Sequence, residues 1–129
     1  MRLTAALLIL LVGPLLVAGD TDGKALSPEQ AAKKVNEKVT VEMDVQSVGK
    51  AKTGGLIFLN SLADFKDSKN FTVVLDTKAQ EKLKSAKIED PQVHFKGKRV
   101  RVTGTVTLFK ERPQILVSDP GQIEIVEKK

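Results

Sequence analysis

The residue types in this chain that could do chemistry are those of a binding surface: a central aromatic and a few basic side chains. In GGLIFLNSLADF, Gly54 to Phe65, Phe58 lies inside an aliphatic run and Asn60 stands two positions on. In an extended strand that spacing puts both side chains on one face. An outward aromatic ring is a stacking platform for a nucleobase, and lysine or arginine beside it can neutralise phosphate. Lys50 and Lys52 precede this stretch, Lys110 and Arg112 follow it, and Thr72 belongs to the next apolar run. Each of these charges taken singly is an ordinary solvated side chain. Only their convergence on one face would make a site.

The groups needed for catalysis are missing or isolated. His94 is the only histidine and there is no cysteine, so no soft-metal cluster can be assembled, and neither a metal nor another cofactor is expected. No G-x-S-x-G elbow and no phosphate-cradling P-loop occurs; Gly49, Gly54 and Gly55 read as turn residues. The acidic pairs Glu89 with Asp90 and Asp64 with Asp67 lie in loops, without partners to tune them. No catalytic residue is assigned, and a non-enzymatic protein is expected.

The amino-terminal stretch MRLTAALLILLVGPLLVAG, residues 1–19, has a basic start at Arg2, an apolar run from Ala5 to Val17 and small residues at Ala18 and Gly19. That is the make-up of a cleaved secretory signal peptide. The run is shorter than the ~20 apolar residues of a membrane span and is interrupted by Gly13-Pro14. The chain is therefore expected to be exported, periplasmic or secreted, with no stable membrane insertion once the signal is gone. Without cysteine there is neither a lipoprotein anchor nor a disulfide scaffold. About 110 residues then remain, enough for one domain to stand on its core alone, as a monomer. Lys and Arg number 21 against 16 Asp and Glu, a net +5; this mild excess permits an anionic partner without requiring one.

Hydrophobic periodicity supplies the elements. Residues 20–26 are polar and Gly-containing and read as a flexible leader, followed by one domain over 27–127. Ser27-Pro28-Glu29-Gln30 is a helix start, with Ser27 as cap and Gln30 reaching back, and the helix should end near Val35 and Asn36. In KVTVEMDVQSV, Val39, Val41, Met43 and Val45 alternate with polar residues, as in a strand with one buried face. A second strand is expected over Leu56 to Asn60 and a third over Phe71 to Asp76. Thr77 to Gln80 repeats the capping pattern, and Ala79, Leu83 and Ala86 mark the narrow apolar face of a helix over Lys78 to Lys87. After a loop at Pro91, Lys98 to Phe109 alternates most clearly: Val100, Val102, Val106 and Leu108 one way, Arg99, Arg101, Thr103, Thr105 and Thr107 the other. Gly104 interrupts it where a bend or bulge would let the strand curl. Gln114 to Val117 is a fifth strand, and Ile123 with Ile125 forms a short terminal one.

Three strands, a helix and two strands are the order of a mainly β, five-stranded OB-fold Greek-key barrel, with a helix between strands 3 and 4. An immunoglobulin-like sandwich wants about seven strands and has no place for a mid-chain helix. VTVEMDVQSV, then GGLIFLN, then NFTVVL, then GKRVRVTGTVTLFKERPQILVSDPGQI resembles a family of small bacterial OB-fold domains, often found beside staphylococcal-nuclease-type or other DNA-processing domains. The resemblance runs from about Ser27 to Val126. It implies a nucleic-acid-binding type of domain, without the neighbour's nuclease chemistry. Met43-Asp44 departs from the family's first-strand Glu-Gly, and Phe109 and Phe95 replace its frequent tyrosines. The second strand is also similar, over a short stretch, to the anticodon-binding barrel of class II aminoacyl-tRNA synthetases, where a phenylalanine stacks on bases.

Two orientations of Phe58 follow from the pattern. With Ile57 and Leu59 inward, Phe58 and Asn60 face out, beside Thr72 and Val74, onto the face such barrels use for ligands, flanked by the loops bearing Lys50, Lys52, Lys110 and Arg112. With Leu56 and Phe58 inward, the ring is core. The flanking aliphatics and the resemblance favour the first. Arg99 and Arg101 either extend the basic patch or pair with Glu42 and Asp44 across a ladder. Weak, sequence-tolerant binding of single-stranded nucleic acid is the leading expectation. Binding of a glycan or a protein partner in the envelope, or an accessory barrel with no small ligand, are the alternatives. The export reading predicts that intact-mass measurement of the secreted protein finds cleavage near Gly19; a full-length chain recovered in the membrane fraction would instead make the segment an anchor.

Overall fold

Alternating β-branched and polar residues build one continuous sheet. The computed structural model describes residues 25–126; the signal peptide expected over 1–19 and most of the leader expected over 20–26 lie outside the described residues. The elements run α1 (Pro28–Ala31), β1 (Lys38–Asp44), β2 (Ser47–Lys50), β3 (Ile57–Asn60), β4 (Thr72–Leu75), α2 (Thr77–Ser85), α3 (Pro91–Phe95), β5 (Arg99–Phe109), β6 (Arg112–Val117), a 3-10 turn (Pro120–Gln122) and β7 (Ile123–Val126). The strand order is β1-β5-β6-β4-β3-β2, with β7 added beside β5. β4 pairs with β6 in parallel and the other strand pairs are antiparallel.

Seven strands stand where five and a short terminal one are expected, because the first strand divides. β1 pairs with β5 and β2 with β3. Val45 and Gln46 turn the chain from one partner to the other: the Val45 N–H donates to the Lys98 carbonyl and the Gln46 N–H to the Asn60 carbonyl. The two ends of the strand order are thus consecutive in the chain. The long β5 also changes partner, pairing with β1 over 99–105 and with β6 over 106–109. Gly104 lies next to that change, and its register is unbroken, so it is not a bulge. A Cβ on it would fall 2.6 Å from Ile115 Cγ2 on β6. The glycine serves close approach between strands.

The interior collects the inward sets of β1, β3, β4, β5 and β6 with the residues flanking them, among them Val41, Met43 and Val45, Ile57 and Leu59, Phe71, Val73 and Leu75, Val100, Val102 and Val106, Ile115 and Val117. Ala79 and Leu83 of α2 and Phe95 of α3 complete it. Leu108, expected with the inward set, is 53% exposed, because β5 has by then run past the core to a hairpin tip.

Local capping moves several boundaries. Ser27 and Gln30 form the expected reciprocal capping box, at 3.1 and 3.0 Å, but α1 stops at Ala31. The chain then hangs on β5 through Asn36 N–H to the Val106 carbonyl and Val106 N–H to the Glu37 carbonyl. Leu26, expected in the leader, forms a parallel bridge to Val41 and packs against the core. The α2 cap is Asp76, not Thr77: its carboxylate accepts from the Ala79 N–H at 2.9 Å and from the Ser118 hydroxyl. Burial pushes the Asp76 carboxyl up, but the Ser118 and Ala79 hydrogen bonds outweigh it and leave it below its ordinary value. Gln80, freed from capping, donates to the Gly55 and Leu75 carbonyls and ties the β2–β3 loop to the helix. The helix ends at Ser85, with Lys87 at φ 72°, so Ile88 rather than Ala86 packs on the core. The Pro91 segment is itself a helix, capped by Asp90.

Two substitutions on β5 test this assignment. Val102→Asp places an unpaired charge in the interior and is expected to abolish cooperative thermal unfolding, whereas Thr105→Asp, on the exposed face, should melt within a few degrees of the parent. Gly104→Ala should cost about 1–3 kcal/mol by forcing Ile115 away, and Ile115→Val in the same chain should recover part of that loss in the same melts.

Candidate functional site

The face of the sheet turned away from the core is organised in rungs. Gly49, Phe58, Val74 and Leu116 stand side by side across β2, β3, β4 and β6, and the adjacent rung is Ser47, Asn60, Thr72, Gln114 and Thr107. Ile57 and Leu59 are buried and Phe58 is half-buried, so the aliphatic pair occupies the core and the ring lies on the outer face. Its Cδ2 is 3.8 Å from where a Gly49 Cβ would stand. Beyond the polar rung the β5–β6 hairpin adds Phe109 and Arg112, and the loop between β3 and β4 adds Asp64, Phe65 and Lys66. Together they enclose a groove of about 640 Å³ lined by Lys50, Phe58, Asn60, Phe65, Lys66, Thr72, Phe109, Arg112 and Gln114, among others.

Five of the seven residues singled out from the sequence thus meet in one groove: Lys50, Phe58, Asn60, Thr72 and Arg112. Lys52, in the β2–β3 loop, and Lys110, at the hairpin tip, are exposed outside its lining. Lys110 and Glu111 have φ of 52° and 67°, the two left-handed residues of a tight two-residue hairpin. The Lys110 ammonium lies 5.5 Å from the Phe109 ring centroid, and that of Lys66 lies 5.9 Å from the Phe65 ring.

Asn60 departs from expectation. It is on the outer face but only 4% exposed, at the centre of a polar network. Its Oδ1 accepts from Thr72 Oγ1 at 3.0 Å and from Asn70 Nδ2 at 3.4 Å, and Asn70 Nδ2 also donates to Thr72 Oγ1 at 3.0 Å. Asn70 Oδ1 accepts the Leu62 N–H at 3.1 Å, and the Ser61 hydroxyl accepts the Phe71 N–H at 2.9 Å. Asn60 and Thr72 are therefore groove floor, fastened to the root of the β3–β4 loop. Val74, expected beside Phe58, is its cross-strand partner but is 2% exposed and presents almost no surface.

Arg112 also differs from expectation. It opens β6 rather than lying in a loop, and its guanidinium donates to the Phe65, Asp67 and Lys66 carbonyls at 3.1, 3.3 and 2.9 Å. Sequence reasoning left Phe65, Lys66, Phe109 and Asn70 out of the site. The legible signal was Phe65-Lys66 itself, an aromatic–cation pair stranded among the turn formers Asp64, Asp67, Ser68 and Asn70. Asp64 and Asp67 are turn caps, accepting from the Lys66 and Lys69 N–H groups at 2.9 Å each.

Arg99 and Arg101 lie on the other part of the sheet and resolve as a ladder. Arg101 meets Glu42 at 2.8 Å, and Arg99 meets Glu42 at 3.1 Å and Asp44 at 3.3 Å. The hydrogen bonds from Arg101 and then Arg99 hold the Glu42 carboxyl below the ordinary glutamate range. Those two arginines are neutralised locally and add nothing to the groove. Among the described residues, no group of three or more His, Cys, Asp or Glu is placed to hold a metal ion, and no helix is long and apolar enough to cross a membrane.

These features define a mainly β, OB-fold-like domain with an aromatic-lined groove on its outer face. No family model and no curated protein matches the chain. Solved structures do: an aspartyl-tRNA synthetase from Entamoeba histolytica (TM-score 0.53, 15% identity, 79% of this chain and 21% of that one), an asparaginyl-tRNA synthetase from Pyrococcus horikoshii (0.53, 16%, 81% and 23%) and a putative aspartyl-tRNA synthetase from Leishmania major Friedlin (0.52, 11%, 82% and 21%). The chain spans less than a quarter of each of these proteins. At such identities the likeness is one of fold.

The ladder carries a pH signature. A carboxyl depressed below its unfolded value of about 4.3 contributes stability that is complete above that pH and is lost as pH falls through the folded value. Glu42→Gln should therefore cost about 0.5–1 kcal/mol at pH 7, a figure suited to partly exposed pairs. Its melting curve should converge on that of the parent as pH falls through the lowered folded value of Glu42. A constant gap at all pH would mean that Glu42 contributes through packing instead.

Proposed function

We propose that this chain is a non-enzymatic OB-fold module that binds single-stranded nucleic acid weakly and with little sequence preference. In that reading β1 and β2 count as one strand bent at Val45 and Gln46, which with β3, β4, β5 and β6 makes a five-stranded barrel, and β7 is a short terminal strand added beside β5. One observation carries the function: Phe58, Phe65 and Phe109, three of the five phenylalanines, line a single groove, with Lys50 and Lys66 beside them. Aromatic faces accept any base, and flanking cations follow the backbone, the combination that sequence-tolerant single-strand binders use. The occurrence of this fold in aspartyl- and asparaginyl-tRNA synthetases supports a nucleic-acid ligand. A protein partner is the second reading, favoured by Leu116, which is 47% exposed on the same outer face as Phe58. Export is part of the proposal and rests on residues 1–19.

Anisotropy titrations with a labelled single-stranded oligonucleotide at several salt concentrations test it. Micromolar-range binding is expected, with log K falling against log salt at a slope of about −2 if Lys50, Lys66 and Lys110 meet phosphates. Phe58→Ala should remove roughly 1–3 kcal/mol without changing the slope. No binding by the folded parent at low salt, or a Phe58→Ala variant that binds normally but melts much earlier, rejects the proposal.

A further inference from the structure

We propose that Arg112 is a positioning residue of the groove, holding the β3–β4 loop so that Phe65 and Lys66 stand ready as its wall; this rests on the single-strand-binding reading above. Three successive carbonyls, those of Phe65, Lys66 and Asp67, turn toward one guanidinium. Converging peptide carbonyls repel one another, and a cation between them offsets that repulsion; the Asp67 carbonyl also accepts the Asn70 N–H at 2.9 Å. Among the described residues Arg112 makes no ion pair. Its charge answers the carbonyl dipoles alone. The planar fork suits this arrangement: Nη1 serves two carbonyls and Nη2 the third, while β6 fixes the stem.

The loop needs such a clamp because nothing apolar holds it. Residues 63–69 are all exposed, and Phe65 is 49% exposed. Its root is fastened by Asn70, which accepts the Leu62 N–H, and by the Ser47 hydroxyl, which donates to the Leu62 carbonyl at 2.7 Å. Its crown is fastened by Arg112. Across the hairpin Arg112 is the partner of Phe109, so the same residue links two of the three rings of the groove. A loop held in this way meets the ligand without having to be ordered by it.

This assignment gives Arg112 a role opposite to that of a phosphate contact, and two substitutions separate the roles. Arg112→Gln removes the charge, and Arg112→Lys keeps it while losing the fork. Both variants are expected to bind a single-stranded oligonucleotide about tenfold or more weaker and to match each other, with the salt slope reduced by no more than the ~0.7 that Lys66 supplies. Combining Arg112→Gln with Phe65→Ala should weaken binding little beyond Arg112→Gln alone, since loss of the clamp already removes the Phe65 ring from the wall. Amide hydrogen exchange without ligand gives an independent readout: Lys66, Asp67, Lys69 and Asn70 should exchange about tenfold or more faster in Arg112→Gln, with β4 and β6 amides unaffected. Unchanged loop exchange overturns the clamp. So does retention of affinity and slope by Arg112→Lys with a slope loss of about 0.7 in Arg112→Gln, the signature of a phosphate contact. If the parent binds no oligonucleotide while the loop amides still quicken in Arg112→Gln, the clamp stands and the ligand class is what fails.

Discussion

β5 has to belong to two halves of one sheet, and the other elements are arranged around that requirement. It pairs with β1 on one side and β7 on the other over its first half, then with β6 over its second. Such a strand must bring β6 close at the crossing, where Ile115 reaches over Gly104. Gln122 closes the same junction, donating to the Thr103 and Leu116 carbonyls while accepting the Ser118 and Asp119 N–H groups. The groove depends on this junction, because Gln114, Arg112 and Phe109 are placed by the segment beyond it.

The charges of the chain are sorted between the two parts of the sheet. On one, Arg99 and Arg101 face Glu42, Asp44 and Glu124 and cancel in place. On the other, Lys50 and Lys66 stand beside exposed rings among residues that include Asp64. A mild net charge of +5 therefore understates how unevenly the mobile positive charge is distributed. Uneven placement is what allows a modestly basic domain to attract an anion to one face.

Much of this was legible in the sequence wherever a period of two met a buried face. The inward sets of β1, β3, β4 and the first half of β5 follow from alternation, because a slip of one residue would expose every valine. The outward position of Phe58 was legible for the same reason. What was not legible depended on partners distant in sequence. Val45 and Gln46 look like any other pair in an alternating strand, yet the pairing partner changes there. Asn60 has the parity of a surface residue and is buried, because Asn70 and Thr72 satisfy its amide oxygen; a lone amide gives no sign of that. Arg112 reads as an exposed hairpin cation, and only the folded loop reveals three carbonyls waiting for it. Leu108 shows the converse, since alternation reports a direction but not where the core ends.

The division of the first strand also governs how the chain finds its fold. β2 joins β3 across a short turn, but β1 must wait for β5, from Lys38 opposite Thr105 to Asp44 opposite Arg99. More than half of the described chain lies between those partners. Closing so long a loop carries an entropic cost that local pairing cannot offset. Topologies dominated by distant pairings fold in about milliseconds to seconds rather than microseconds. During that interval the edge of β1 is exposed and rich in valine, and the charged partners Glu42 and Asp44 alternating along it keep such an edge from recruiting a second chain before its own partner arrives.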